Sequence, residues 1–422
     1  MKDTQASHSV PSVEPRNRRS AFALRPLALL AMLATLGAAA FAGEPPTSAP
    51  SSAPTTTTAT AADAREGIRR GLEYLLKTQN ADGSWGSQAN ALLYLDLDMT
   101  FMNPETQRGW QVATTGLVCC ALQKLPASGP IDAAYDRGID FILNNADLKR
   151  ASDWDLDPTW GLIYGLQGLA NAYRHPRYDG SARKISIRDV VPKLLKSLAN
   201  VQSLSGGWGY YDIEEYKTHP ATWATSFTTA AGVIALLDAR DAGFEVEQAI
   251  IDRAARAIER CRLPNGAFRY NVDPIARPGV GESIDAIQGS LGRIQACNLA
   301  LMRAEREVKP AAVERGVQNF FQYHRFLDIA RGRPIPHEAY YANAAYFYHF
   351  AHYYGARVMT TLPDQQRAAA WPRLRQQVLK TQQADGSLVD YYMNSYGKPY
   401  GTAFSLLALQ ESLHDEQPSE GR

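Results

Sequence analysis

Six stretches of apolar and small residues recur along the chain: Trp110 to Leu125, Thr159 to Tyr173, Thr222 to Leu237, Ile284 to Met302, Tyr340 to Tyr354 and Pro399 to Leu413. Their lengths and spacing predict helices apolar around most of their circumference. More polar, amphipathic segments alternate with them, and four of these share one pattern. GLEYLLKTQNADGSWG begins at Gly71, LLKSLANVQSLSGGWG at Leu194, ARAIERCRLPNGAFRY at Ala255 and LRQQVLKTQQADGSLV at Leu374. Aligned on Gly83, Gly206, Gly266 and Gly386, they place Trp85, Trp208, Phe268 and Leu388 two positions later. The intervals of 123, 60 and 120 residues are two, one and two periods of about 60. Weaker copies are then expected near 143 and 326, where RGIDFILNNAD (from Arg137) and RGVQNFFQYHRF (from Arg315) keep the helical half and lose the turn. Pro158, Pro220 and Pro399 sit at helix starts, where a missing N–H costs nothing. Twelve helices in six pairs follow, and no series of alternating strand patterns competes with them.

The shared element reads Q-x-x-x-G-x-W. Gln79-Gly83-Trp85 and Gln202-Gly206-Trp208 are complete, Gln382-Gly386-Leu388 lacks the aromatic ring, and Arg262-Gly266-Phe268 replaces the glutamine. On these residues the chain resembles the prenyltransferase and squalene-cyclase repeat family, over about 350 residues from Asp63 to Leu413. The resemblance implies an all-α (α/α)6 toroid, with six parallel inner helices around a central cavity and six outer helices around them. The motif has a physical reading: glycine permits a sharp helix exit, the aromatic ring packs across the turn, and glutamine bonds backbone groups left open at neighbouring helix ends.

The flanks read differently. Arg16, Arg18, Arg19 and Arg25 precede an apolar run from Leu27 to Ala40 that ends in Ala40-Phe41-Ala42, so residues 1–42 read as a signal peptide and predict a periplasmic or extracellular product. Residues 43–62, rich in Pro, Ser and Thr, read as a flexible linker, 63–413 as the toroid, and 414–422 as a disordered tail. The 422 residues are 45% hydrophobic and 21% charged with a net charge of +1. Removing the leader's five basic and two acidic residues leaves −2. That balance gives no footprint for nucleic acid, and no membrane span is expected in the mature chain. Cys119, Cys120, Cys261 and Cys297 read as buried thiols rather than bridges, and none has metal-ligand spacing.

Parallel inner helices would bring their N-terminal ends to one mouth, where the partial positive charges favour an anion or carboxylate. The candidates near those ends are Asp285, His219 and Asp212 for acid or base work, and Trp160, Trp223, Tyr340, Glu282 and His337 for ligand contact; Asp157, Glu338, and Asp390 with Tyr400 lie there too. Each could equally cap a helix or fill the core, and His349 and His352, three apart on one helix, read as core histidines. The insert SQANALLYLDLDMTFMNPETQR, before the first inner helix, reads as padding rather than a lid.

The two best-known chemistries of the family need residues that are missing. The D-x-D-D acid motif of protonating terpenoid cyclases has no match, its nearest strings being Asp96-Leu97-Asp98 and Asp153-Trp154-Asp155-Leu156-Asp157. The zinc site of the protein prenyltransferases needs an Asp two places before a Cys, where this chain has Gln295 before Cys297 and Glu259 before Cys261. No metal or cofactor is therefore expected. Three functions stay open: a cyclase-like toroid that binds or transforms a small, apolar ligand in an aromatic cavity, a carbohydrate-active (α/α)6 lyase or hydrolase, and a non-catalytic binding or scaffold protein.

Overall fold

The computed structural model describes residues 58–86, 104–149, 158–210, 223–273, 283–392, 396–413 and 415. Among them are thirteen α-helices, four short 3-10 turns and isolated bridges in place of strands. The inner ring consists of α2 (Pro104–Gln123), α4 (Thr159–Arg174), α6 (Ser226–Asp241), α8 (Leu291–Arg303), α11 (Phe347–Met359) and α13 (Gly397–Glu411). Each packs on the next, and α13 packs on α2 to close the ring. Outside lie α1 (Ala61–Thr78), α3 (Gly129–Asn144), α5 (Ala182–Asn200), α7 (Gln248–Cys261), α9 (Pro310–Gln322) and α12 (Asp364–Leu379), with a short extra helix, α10 (Arg325–Ala330), after α9. The fold is the α/α toroid. No helix among the described residues is long and apolar enough to cross a membrane.

Burial follows the two kinds of pattern. In α6 every residue from Ser226 to Leu237 is buried, because an inner helix has neighbours on every side. In α7 only one face, Ile250, Ile251, Ala254, Ala255, Ala257, Ile258 and Cys261, is buried, and Arg253 and Arg256 face water.

The joints between pairs explain the repeated motif. Gln79 Nε2 donates to Gly83 O at 2.9 Å and to Ala134 O in α3 at 2.8 Å. Gln202 Nε2 repeats this with Gly206 O (2.8 Å) and Ile250 O in α7 (3.0 Å), and Gln382 Nε2 with Gly386 O (3.0 Å) and Gly67 O in α1 (2.9 Å). The amide oxygen in turn accepts from an arginine one helical turn further on: Arg137 for Gln79, Arg253 for Gln202 (3.0 Å) and Arg70 for Gln382 (3.4 Å). The last of these joints ties the end of the repeat array back to its beginning. Glycine is required twice over here. Gly83, Gly206 and Gly386 have φ of 90, 93 and 88°, and a Cβ would lie 2.4–2.7 Å from the carbonyl oxygen of Arg137, Arg253 or Arg70.

The glutamine thus bonds a carbonyl inside the next outer helix rather than one at a helix end. The open helix-end carbonyls are taken by the tryptophans: Trp85 Nε1 donates to Leu75 O and Trp208 Nε1 to Leu198 O, both at 2.8 Å, in the last turns of α1 and α5. A hydroxyl on the inner helix completes each joint. Thr115, Thr229, Ser290 and Thr402 accept from the backbone N–H of Trp85, Trp208, Phe268 and Leu388 at 2.9–3.1 Å.

Three inner helices start later than the apolar runs suggest. Helix α6 begins at Ser226, α8 begins at Leu291 after 3-10 turns at Ser283–Asp285 and Ile287–Gly289, and α11 begins at Phe347. Before α11, Tyr341 and Ala342 take φ of 57 and 50°, which no helix continues through. The four cysteines are thiols. At the C-terminal ends of the inner helices, Asp238 of α6 accepts from Gln167 of α4 and Arg303 of α8, both at 2.6 Å. Arg357 of α11 lies 3.9 Å away from it, so cations sit where the helix dipoles end negative.

Replacing Trp208, fully buried, with Ala is expected to lower unfolding free energy by about 3–5 kcal/mol. Gln202→Ala, which orphans buried groups in the joint, is expected to lower it by about 1–3 kcal/mol. Urea denaturation of both variants checks the ranking.

Candidate functional site

A cavity of about 410 Å³ opens among the N-terminal halves of the inner helices. Helix α2 contributes Trp110, Ala113, Thr114 and Leu117; α4 contributes Trp160 and Tyr164; α6, Phe227; α11, Phe347 and Phe350; α13, Tyr400 and Phe404. Tyr210, Pro336, His337, Tyr346 and Tyr391 reach it from the connecting segments. None of the sixteen lining residues is Lys, Arg, Asp or Glu, and eleven are Trp, Tyr or Phe. The rings pack on one another: Trp160 stacks on Tyr164 at 5.5 Å and on Tyr210 at 6.4 Å, and Phe227 meets Phe347 and Phe350 edge-on at 5.2 and 5.8 Å. Below them Tyr164 and Tyr354 pair their hydroxyls at 3.3 Å.

Besides Thr114 and the Tyr164 hydroxyl, two polar clusters bear on this wall. At the first, the Tyr210 and Tyr270 hydroxyls lie 2.6 Å apart, with the Tyr346 hydroxyl beside both. His337 Nδ1 is 2.7 Å from Ala342 O. A carbonyl only accepts, so Nδ1 carries the proton and Nε2 accepts from the Tyr346 hydroxyl at 3.1 Å. Burial lowers the His337 pKa and raises those of Tyr270 and Tyr346 well above the usual phenol value, which keeps the cluster neutral. His337 is held at φ 67°, strain that these two bonds on its ring maintain. The cluster can orient a hydroxyl or carbonyl and exchange a proton with it through Tyr346, with His337 as the base.

At the second place, Tyr400 donates to Asp390 Oδ1 at 3.0 Å, and Asp390 Oδ2 accepts from the His349 N–H at 3.0 Å, in the first turn of α11. Asp390 is a cap for that helix supplied by a neighbouring loop. It is fully buried, and loss of solvent raises its pKa to about 7, against the donors aimed at it.

Of the candidates read from sequence, Trp160 and His337 line the cavity. Trp223 stands one layer behind, packing edge-on against Tyr210 at 5.2 Å and donating to Asn271 Oδ1 at 3.0 Å. Tyr340 is 57% exposed and does not line the cavity. Asp285 accepts from the Tyr270 N–H at 2.6 Å and lies 3.7 Å from Arg269 and 3.8 Å from the buried Arg293, so it supports the phenol cluster through the Tyr270 backbone and does not line the cavity. Asp212, His219, Glu282 and Asp157 lie outside the described residues, as do Asp96 and Asp98 of the insert. His349 and His352 are core residues: His349 Nδ1 meets Ser405 Oγ at 2.8 Å, and His352 bonds Tyr348 O and His324. Sequence reasoning missed Tyr210, Tyr270 and Tyr346. The signal was present, since Tyr210, Tyr270 and Asp390 each stand four places after a motif glycine. Among the described residues no group of three His, Cys, Asp or Glu is placed to hold a metal.

No protein-family model matches the chain, and no curated protein matches it. Solved structures do. Cellobiose 2-epimerase from Bacillus thermoamylovorans matches with a TM-score of 0.54 at 11% identity, covering 83% of this chain and 100% of its own. The α-1,6-mannanase of Salegentibacter matches with a TM-score of 0.53 at 11% identity, covering 84% and 100%. A type II terpene cyclase from Scytonema matches with a TM-score of 0.48 at 13% identity, covering 84% and 99%. What the likenesses to the epimerase and the mannanase establish is the fold.

Asp390 sets a testable pH dependence. Unfolded, it ionises near 3.8; folded, near 7. The folded state therefore holds the proton longer, and stability falls as pH rises from about 4 to about 7. Relative to Asp390→Asn, the wild type is expected to lose about 4 kcal/mol across that window and nothing further above it. Chemical denaturation at a series of pH values measures this.

Proposed function

We propose that this chain is an exported toroid protein that holds a small, apolar, uncharged ligand of terpenoid-like character in its aromatic cavity. The observation that carries this reading is the wall itself, built largely from aromatic rings and, among the described residues, with no Lys, Arg, Asp or Glu lining it. Such a surface rewards burial of hydrocarbon by roughly 25 cal/mol per Å² and gives a charged molecule nothing to pair with. The two polar places, at Tyr346 with His337 and at Tyr400 with Asp390, offer hydrogen-bonding partners to the oxygen-bearing end of such a ligand. Proton transfer to that ligand would run through Tyr346 and His337. Export rests on the Arg-rich leader and the Ala40-Phe41-Ala42 site, which place the mature N-terminus at Gly43.

A carbohydrate ligand is the second reading. The epimerase and the mannanase share this fold and are named for cellobiose and an α-1,6-mannan, and the faces of Trp110 and Trp160 could stack on sugar rings. Among the described residues the wall has no pair of lining carboxylates such as glycoside hydrolysis uses, which favours the apolar ligand.

Tryptophan fluorescence titration of the mature chain with farnesol, a sterol, cellobiose and mannotetraose separates the two. Saturable binding of a prenyl or polycyclic alcohol, weakened about tenfold or more by Trp160→Ala, is expected. Binding of the oligosaccharides alone would replace this reading with the second, and an N-terminus at Met1 on protein recovered from the periplasm would refute export.

A further inference from the structure

The fourth joint differs from the others. Its motif has Arg262 in place of glutamine, and the Arg262 guanidinium turns away, 3.4 Å from Glu307 O and over the Phe268 ring. Gly266 keeps the left-handed φ of 89°, yet a Cβ on it would meet nothing within 4 Å. In the three joints that keep the glutamine the same atom would collide with the next outer helix. The turn therefore stands off from α9, and a groove of about 300 Å³ lies between them.

The residues that hold a glutamine amide elsewhere have their counterparts, by position, along this groove. Gly266 occupies the place of Gly83, Gly206 and Gly386, whose carbonyls each accept from an amide N–H. Ala312 occupies the place of Ala134, Ile250 and Gly67, the second carbonyl of each joint. Arg315 occupies the place of Arg137, Arg253 and Arg70, which donate to the amide oxygen. All three line the groove, and Arg315 makes no hydrogen bond or ion pair among the described residues. Arg262 and Lys309 add two positive charges on the same wall, Glu307 adds one negative charge, and Asn265 and Asn319 add amides.

From this we infer that the fourth joint is a binding site for a small primary carboxamide that also carries a carboxylate, free L-glutamine being its simplest member. The ligand's NH2 donates to the Gly266 and Ala312 carbonyls, and its amide oxygen accepts from Arg315. Its carboxylate faces Arg262 and Lys309. The site is far from the aromatic cavity in composition and shares no lining residue with it.

Isothermal titration of the full chain with L-glutamine, L-glutamate and an end-blocked glutamine peptide tests the assignment. Saturable binding of L-glutamine is expected, with L-glutamate weaker by about tenfold or more because its second carboxylate cannot donate to the two carbonyls. Arg315→Ala, an exposed change, should abolish binding without unfolding the protein. Arg262→Gln rebuilds the motif, so it should fill the groove, abolish binding and raise Tm by about 2–4 °C. No binding of L-glutamine, equal binding of L-glutamate, binding of the blocked peptide alone, or undiminished binding by Arg262→Gln would each overturn the assignment.

Discussion

Everything in this molecule hangs on a side-chain amide that holds two backbone carbonyls at once. Six helix pairs have no sheet to register them, so each pair must be told where the next one begins. At three of the six junctions Gln79, Gln202 and Gln382 do this by bonding their own turn and the following outer helix with one NH2 group. Because those bonds are short and directional, they fix the distance and rotation between neighbouring pairs, where apolar packing alone would allow sliding. The Gln382 joint reaches back to Gly67, so the same device that spaces the repeats also closes the ring. Closure is what gives the inner helices a common axis and their first turns a common cavity.

Much of this was legible from spacing. A glycine at one period, followed two places later by an aromatic ring, identifies a turn that must approach another backbone, and Gly83, Gly206 and Gly386 do. The direction of the bonds was not legible. Glutamine was expected at open helix ends, where the indoles of Trp85 and Trp208 are found instead. Sequence shows that a donor is available but not which of several nearby carbonyls lies within 3 Å of it. Helix starts were misread for a related reason: the segment around Tyr341 is as apolar as a helix, and only its left-handed backbone, stabilised by surrounding contacts, stops one.

The cavity was harder to see in the sequence because its polar groups come from different repeats. Tyr210, Tyr270, Tyr346 and His337 lie on three separate connections, and no local pattern brings them together. Trp160 and His337 could be picked out because each stands near the start of an apolar run. Asp285 stands there as well, yet the fold spends its carboxylate on the Tyr270 backbone and Arg293, so it supports a phenol of the cluster without facing the cavity. The contrast is physical. In a low-dielectric wall an unpaired carboxylate is too expensive to leave facing a ligand, so the acids are drawn behind the aromatic layer and act, as Asp390 does on Tyr400, through a hydroxyl.

An aromatic, uncharged interior should retain its occupant through purification. Native mass spectrometry of the protein isolated from its own organism, followed by organic extraction of whatever is released on denaturation, reads the occupant directly. An adduct that partitions into the organic phase and is lost in a variant with Trp160 and Phe350 replaced by Ala is the predicted result. An adduct that remains in the aqueous phase as an oligosaccharide, or a mass equal to that of the bare chain, would contradict it.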